Sequence, residues 1–339
     1  MWLYLAKRLL LAIGTLLVIL VISYVMLRLA PGDPTKSNLL GSDAGAGTAS
    51  AERNEFVRND ALRKQLHLDE PIYIGFYYWF KAVLLHGDFG TSATVDPGRP
   101  VTDLILSRLP VTLKLNFFAV LITYLLAIPL GIYGAVYAGS WFDRLTTMGL
   151  FFLYSLPVIW VGLMLQAGLC EGGWWPLFPL KGLSVAQPDR LNSWELLWET
   201  AKCYVLPVSC LAYAGFAGLS RYARNGMLEV IHQDYIRTAR AKGLPESVVI
   251  FKHAFRNAVI TLITLFSGLL PGLVAGSIII EHIFSIPGMG SLSLLSLSSR
   301  DYPLQMALFA FAGVLTLGGI LLSDLLYVAA DPRISFNKR

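Results

Sequence analysis

Charged side chains are scarce in this sequence, at 14% of 339 residues, whereas a soluble domain carries about 25%. Each apolar run is close to, or longer than, the roughly 20 helical residues that cross a hydrocarbon core of about 30 Å. None alternates as the strands of a membrane barrel do. The sequence therefore predicts an all-α membrane protein with six transmembrane helices. The six runs without Asp, Glu, Lys or Arg are Leu9–Leu27, Leu115–Phe142, Leu145–Cys170, Cys203–Ser220, Asn257–Ile280 and Tyr302–Ser323.

The runs also lack the residues that several functions require. An ionisable group at mid-span, which a proton or ion relay needs, is missing; Lys114, Glu281 and Asp324 lie near the ends of runs, where we expect them to reach water. No lysine follows a glycine, so the phosphate-binding pattern GxxxxGK[ST] is absent. The five histidines lie in loops or at span ends, with no recognisable serine or cysteine partner. The sequence therefore offers no catalytic residue and no metal site, and it argues against an ATPase or a hydrolase.

Cysteine is also rare, with three residues in the chain. Cys170 and Cys203 fall near the outer ends of the third and fourth runs. A disulfide is one interpretation, because that side of a bacterial membrane is oxidising. The sequence favours the other, that both are small buried apolar residues.

Lysine and arginine are distributed unevenly between the two sides of the predicted bundle. With the N-terminus inside, the inner segments carry thirteen Lys and Arg, and the short outer loops carry only Lys181, Arg190, Lys202 and Arg300. Inner loops of membrane proteins are enriched in positive charge. We therefore expect both termini in the cytoplasm and an uncleaved anchor helix over residues 1–30.

Residues 31–109 are predicted to form an outer, periplasmic segment between the first two helices. Residues 41–51, GSDAGAGTASA, contain no large side chain and indicate a connector. Residues 72–85 repeat large apolar side chains at helical spacing, at Ile72, Phe76, Trp79, Phe80 and Val83. This pattern predicts an amphipathic helix, which either lies in the lipid headgroup layer or packs on the protein's own outer surface.

The largest inner loop, residues 221–256, carries seven Lys and Arg against three acids. Asp234 is predicted to cap a short helix over Tyr235–Lys242 that ends before Gly243, and Pro245 to begin the next helix. Ala239 and Ala241 make the middle slim, while basic side chains surround it, as suits a helix inserted into a groove on another protein. A solvated loop, or one that contacts anionic lipid, is the alternative that composition leaves open.

The stretch YIRTARAKGLPES (235–247), followed by HAFRNA (253–258), resembles the cytoplasmic signature loop of ABC importer permeases. Further blocks match the B-type permease of the dipeptide/oligopeptide (Opp/Dpp) group: RLAPGDP (28–34), LDEP (68–71), HGDFGTS (86–92), IFSIPGMG (283–290), SRDYP (299–303) and DPRI (331–334). FPLKGL (178–183) and the C-terminal DPRISF are similar to the Yej-type branch, which imports oligopeptides and microcin C. The sequence departs from the pattern in two places. Arg237, Thr238 and Ala239 occupy the places of the usual Glu-Ala-Ala, and Thr261 stands where related loops often have proline.

The resemblance implies a type I importer (MetI-like) permease fold with six helices and a periplasmic insertion between helices 1 and 2. The core permease domain would cover 110–330, with a coupling loop at 221–256 and a cytoplasmic tail at 331–339. The site that couples to the ATPase would comprise Asp234, Tyr235, Ile236, Arg237, Thr238, Ala239, Arg240, Ala241, Lys242, Gly243 and Leu244.

The implied function is a permease subunit of an ATP-driven peptide importer in the bacterial inner membrane, working by alternating access. Its partners would be two ATP-binding subunits that hold ATP and Mg, a second homologous permease, a periplasmic or lipid-anchored peptide-binding protein and membrane lipid. No cofactor bound by this chain and no nucleic acid is implied. Polar residues expected to line the pathway are Ser155, Gln166, Ser267 and Ser277. The alternatives are a proton-coupled peptide transporter and an ABC permease for a nickel complex or glutathione.

Overall fold

The computed structural model describes residues 2–30, 60, 63–64, 67–180, 182–183, 190–263, 265 and 269–330. Within these residues the chain is helical, and its extended pairs are the isolated bridges Thr91–Pro100 and Cys170–Phe178. The predictions for 41–51, for Ser267 and for the tail 331–339 lie outside the described residues. The helices are α1 (Trp2–Leu29), α2 (Ile72–His86), α3 (Val101–Val136), α4 (Trp141–Ser155), α5 (Val158–Leu169), α6 (Ser193–Ile231), α7 (Asp234–Ala241), α8 (Glu246–Val248), a π-helix (Val249–Phe255), α9 (Arg256–Ile263), α10 (Leu269–Ala275), α11 (Ile278–Ile283), α12 (Met289–Ser298) and α13 (Tyr302–Ala330).

Four of the six apolar runs form single helices long enough to cross a membrane, namely α1, α3, α6 and α13. The third run is bent by 91° between α4 and α5. Leu156 adopts an extended conformation there, which the ring of Pro157 favours by crowding the helical one. The fifth run is divided among α9, α10 and α11, and Gly276, at φ +72°, separates the last two. The six predicted spans therefore correspond to four long helices, one bent pair and one segmented run.

Proline has different effects within the predicted spans. Pro129 and Pro207 lie inside the continuous helices α3 and α6, and Pro271 lies inside the short helix α10. Neighbouring helices in a bundle compensate for the backbone groups that a proline leaves unpaired. Of these four prolines, Pro157 is the one that separates two helices in the described chain.

The chain folds as two compact units, Met1–Pro110 with Ser291–Leu317, and Val111–Gly290 with Gly318–Arg339. In the first unit α2 packs against α1 through an edge-to-face contact of Tyr24 and Phe76, with ring centroids 5.6 Å apart. The predicted stripe on α2 is half-buried, while Tyr73 and Tyr77 on its other side are exposed. A helix forms where the pattern predicts one, and one side of it packs on the protein itself.

The second unit contains the apolar cores that hold the inner part of the bundle. Helices α3 and α6 approach closely at Gly131, where a Cβ atom would lie 2.6 Å from that of Ala223. Beside this crossing, α7, the π-helix and α9 contribute to one buried cluster, which we call the coupling core. Its members are Ile132, Ala135, Met227, Ile236, Ala239, Val249, Ala254 and Ala258.

Candidate coupling site and translocation core

Helix α7 forms the short basic helix that the sequence predicts, with its boundaries shifted by one residue. Asp234 is the first helical residue and Gln233 occupies the cap position, without a capping side-chain hydrogen bond. The helix ends at Ala241, and Gly243 follows at φ +75°. A β-branched side chain is strained in that left-handed region, so glycine suits the position. The sequence predicts that Pro245 begins the next helix. In the structure Pro245 is the cap residue that precedes α8.

Two side chains of α7 anchor it to the bundle. Ile236 is fully buried and Ala239 is 6% exposed, both within the coupling core. They are three residues apart and therefore share one face of the helix. The prediction that Ala239 belongs to a slim surface for a partner groove is wrong, because Ala239 faces its own chain. Ala241 is exposed and remains available to a partner.

The opposite side of α7 is charged and accessible. Arg237 pairs with Asp234 only loosely, at 3.6 Å and with both side chains largely exposed. Arg240 donates to Glu246 across the turn at 2.6 Å, from Nη2 to Oε1. Hydrogen bonding to Arg240 lowers the pKa of Glu246 and keeps this carboxylate charged. The other exposed residues of the predicted site are Tyr235, Thr238, Lys242, Gly243 and Leu244.

A π-helix joins this basic helix to the following apolar segment. Val249 and Ala254 are its fully buried residues, and both belong to the coupling core. In α9, which follows the π-helix, Asn257 Nδ2 donates to the Tyr235 hydroxyl of α7 at 2.9 Å. The π-helix is the part of this region that sequence patterning missed, because an apolar period does not distinguish i→i+5 from i→i+4 hydrogen bonding.

Three of the four predicted pathway residues have partners within the chain. Ser155 Oγ donates to the Phe152 carbonyl, and Gln166 Nε2 donates to the Ile283 carbonyl at 2.9 Å. The Ser277 hydroxyl accepts from the Ile280 amide and caps α11. These bonds give each side chain a structural role and leave its predicted place in the pathway untested. Ser267 lies outside the described residues.

An open, mostly apolar cavity of about 370 Å³ lies among α3, α6 and α10. Asn116, Thr123 and Tyr222 place polar groups on its wall. Asn116 donates to the carbonyls of Gly272 and Leu273, at 3.1 and 2.9 Å, and so attaches α10 to α3. Sequence reasoning missed Asn116, whose single amide in an uncharged run gave a weak signal.

Glu281 is fully buried, and the prediction that it reaches water is wrong. The Thr112 hydroxyl donates to its Oε1 at 3.2 Å and accepts from the Met289 amide at 2.7 Å. Gly276, Gly288 and Gly290 leave room for the carboxylate, since a Cβ atom at any of them would come within 3.0 Å of a Glu281 atom. The glycines of the IFSIPGMG block therefore enclose a buried carboxylate, which their spacing alone did not reveal.

A second buried carboxylate organises residues 92–95 in the first unit. Asp301 Oδ2 accepts from the Ser92 hydroxyl at 2.5 Å and from the amides of Ala93, Thr94 and Val95 at 3.0–3.1 Å. Its Oδ1 accepts from the Leu304 amide at 3.2 Å, at the start of α13. This arrangement, the Asp301 clamp, joins the HGDFGTS and SRDYP blocks, which are about 210 residues apart in the sequence.

The three cysteines are free and buried. Cys203 Sγ lies 3.3 Å from the Glu199 carbonyl, and Cys170 and Cys210 belong to an apolar cluster with Leu206 and Ile280. The interpretation as small buried residues is confirmed, and no disulfide joins Cys170 to Cys203.

Comparison with known proteins places this arrangement in a family. Residues 127–336 match the family described as binding-protein-dependent transport system inner membrane component. The chain is 37% identical to the oligopeptide transport system permease protein AppB of Bacillus subtilis, over 98% of this chain and 99% of that protein. It is 32% identical to the peptidoglycan transport system permease protein YejB of Agrobacterium fabrum, over 99% of each. It is 34% identical to the probable D,D-dipeptide transport system permease protein DdpB of Escherichia coli, over 93% and 92%. The chain belongs to this family and is a membrane permease subunit of an ABC importer.

Proposed function

We propose that this chain is the permease subunit of an ATP-driven importer of peptides and that α7 receives the motion of a partner ATPase. The similarity over almost the whole length of AppB, YejB and DdpB supports the peptide substrate, since each of those names specifies a peptide or a peptide-containing polymer. The observation that carries the coupling role is the position of Ile236 and Ala239 in the coupling core.

The coupling core explains how motion at the surface reaches the membrane helices. Ile236 of α7 shares the cluster with Ile132 of α3, Met227 of α6 and Ala258 of α9. Close-packed interiors transmit displacement because they contain little free volume. A tilt of α7 therefore displaces the inner ends of these helices together. Each position of α7 must favour one state of the pathway for ATP binding to drive transport.

The proposal gives the assembly a defined set of parts. Two ATPase subunits, a second homologous permease and an external peptide-binding protein complete it, and ATP and Mg belong to the ATPases. The N-terminus and the tail 331–339 are in the cytoplasm, on the side of α7. The segment 30–109 and the loops 171–202 and 284–304 each lie on the side of the membrane from which the binding protein delivers peptide. The core domain extends over 110–330, and the pathway includes the cavity beside Asn116 together with Ser155, Gln166, Ser267 and Ser277.

Affinity purification of the full chain in mild detergent tests the assembly. We expect two ATPase subunits and a second permease to copurify, and peptide uptake by the reconstituted complex to require ATP. Uptake that continues without ATP and stops with an uncoupler would instead indicate a proton-coupled transporter. Competition by a nickel complex or glutathione, but not by peptides, would refute the peptide substrate and leave the ABC mechanism intact.

A further inference from the structure

A cavity of about 190 Å³ with a mixed polar and apolar lining lies among α3, α4 and α6 in the second unit, apart from α7 and from the cavity beside Asn116. Its lining includes Arg221, Arg224, Asn225 and Thr147, together with the exposed aromatic side chains of Phe151 and Tyr154. This combination of arginine with exposed apolar surface differs from the cavity beside Asn116, where the described lining residues include no charged side chain.

The two arginines of the cavity are held differently. Arg224 binds Asp143 through two parallel bonds of 2.8 Å, Nε to Oδ1 and Nη2 to Oδ2. The Gly139 amide donates to the same carboxylate at 2.9 Å. Asp143 is 7% exposed, so this pair fixes α4 to α6 and sets the position of Arg224.

Arg221 lies one helical turn earlier, on the same side of α6. Its exposed guanidinium has no hydrogen bond or ion pair with the residues that the structure describes. The cavity thus presents two guanidinium groups, of which one carboxylate neutralises one. Asn225, one turn beyond Arg221, adds an exposed amide group. A guanidinium with adjacent amide and hydroxyl donors matches a phosphate group.

The surroundings of the cavity match a lipid more closely than a soluble anion. Along α4, Met148, Phe151, Phe152 and Tyr154 are all more than 60% exposed, an apolar surface beside the cavity. Acyl chains lie against such a surface while the headgroup occupies the cavity. In the proposed orientation Arg144, Arg221 and Arg224 are on the cytoplasmic side, where the leaflet is rich in anionic lipid.

From these observations we infer that the cavity among α3, α4 and α6 binds the phosphate of an anionic phospholipid from the inner leaflet, through Arg221 with Asn225 beside the fixed Arg224. The inference rests on the orientation within the proposed function. The bound lipid would hold α4 against α6 at the end from which the coupling loop begins.

The test uses the full chain in complex with its ATPases, and native mass spectrometry of micelles containing phosphatidylglycerol or phosphatidylcholine. We expect preferential retention of phosphatidylglycerol. Arg221→Gln should weaken this retention about fivefold, since one cation near an anionic surface contributes about 1 kcal/mol. Asn225→Ala should weaken it less. Arg144→Gln is the matched control, because Arg144 is an exposed inner arginine that does not line the cavity, and it should retain lipid as the unchanged chain does.

Four results would overturn the inference. They are equal retention of the two lipids, an equal loss in Arg144→Gln, displacement by free glycerol phosphate at the same concentration, and displacement by a transported peptide. The third result would indicate a soluble phosphate site and the fourth a part of the pathway. If Arg221→Gln does not fold, Arg221→Lys compared with Asn225→Ala decides. A complex that copurifies with its ATPases and transports peptide, yet shows any of these results, would refute the lipid site and leave the proposed function intact.

Discussion

Helix α7 and residues 92–95 are both short stretches outside the long helices, but they are held in opposite ways. Helix α7 is anchored by two apolar side chains, Ile236 and Ala239, and its polar side is left exposed. Residues 92–95 are anchored by hydrogen bonds to one carboxylate, that of Asp301.

The difference between an apolar anchor and a hydrogen-bonded anchor indicates which region is suited to move. Apolar contacts have no preferred direction, so the anchor that Ile236 and Ala239 provide does not depend on hydrogen-bond geometry. The Asp301 clamp depends on five donor–acceptor distances between 2.5 and 3.2 Å, and hydrogen bonds weaken steeply when their geometry is lost. We therefore interpret α7 as a moving part and residues 92–95 as a fixed platform.

The largest effect is expected from Asp301→Ala, which would remove the carboxylate and leave the buried amide of Ala93 and the part-buried amides of Thr94 and Val95 without this acceptor. Unpaired buried donors cost about 1–3 kcal/mol each, so we expect a loss of roughly 3–5 kcal/mol after partial relaxation. Thermal unfolding of the purified chain measures the loss. Asp96→Ala is the control, since Asp96 is half exposed and pairs with Arg99 at 3.3 Å. Equal melting temperatures in the two variants would show that the clamp is not a fixed platform.

Ile236→Ala is expected to have the next largest effect. Shortening this fully buried side chain should lower the free energy of unfolding by about 2–5 kcal/mol, as large-to-small substitutions in a core do. Because the lost contacts join α7 to α3, α6 and α9, peptide transport per ATP hydrolysed should fall. Ile13→Ala is the matched control, because that isoleucine is 59% exposed, lies in α1 and is outside the coupling core, so it should leave this ratio nearly unchanged. A normal ratio in Ile236→Ala would contradict the coupling core as the path of motion.

Gly243→Val tests the end of the coupling helix. Valine at φ +75° is strained by about 1–3 kcal/mol, although no atom lies within 4 Å of the position that its Cβ would occupy. The strain should displace α7, reducing transport while the chain still inserts into the membrane. Gly14→Val is the control, because that glycine in α1 has open space and no positive φ. Full transport by Gly243→Val would argue against a fixed helix end.

The smallest effect concerns the ion pair between Arg240 and Glu246. The pair is exposed, so Glu246→Gln should cost at most about 1 kcal/mol, and less in high salt. The folded chain lowers the pKa of Glu246 below its ordinary 4.5. The ion pair therefore makes its full contribution to the free energy of unfolding above pH 4.5. It is lost as the pH falls through the lowered pKa. The measurement is the melting temperature from pH 7 to pH 3, relative to Glu246→Gln. A difference that persists at the lowest pH would contradict this assignment.

The lengths of the apolar runs and the residue types in the basic loop predicted a large part of the fold. Four spans, helix α2 and helix α7 follow from periodicity and from residues such as Gly243, because these depend on nearby sequence. The π-helix, the segmentation of the fifth run and the partners of Glu281 were not predictable, because they depend on contacts between distant segments. Ala239 is a clear example, since a small residue suits both a partner's groove and the protein's own core.

The amino-acid sequence alone predicts that this protein is helical, that it belongs in a membrane and that a small basic helix lies between two of its spans. Lipid excludes charge, and a helix satisfies its own backbone, so composition alone carries that information. The contacts of the folded chain are needed to see which face of α7 is buried. They are also needed to see that Asp301 and Glu281 hold distant segments together. A carboxylate that is excluded from water is stabilised only by donors that folding brings to it, and sequence separation does not reveal those donors.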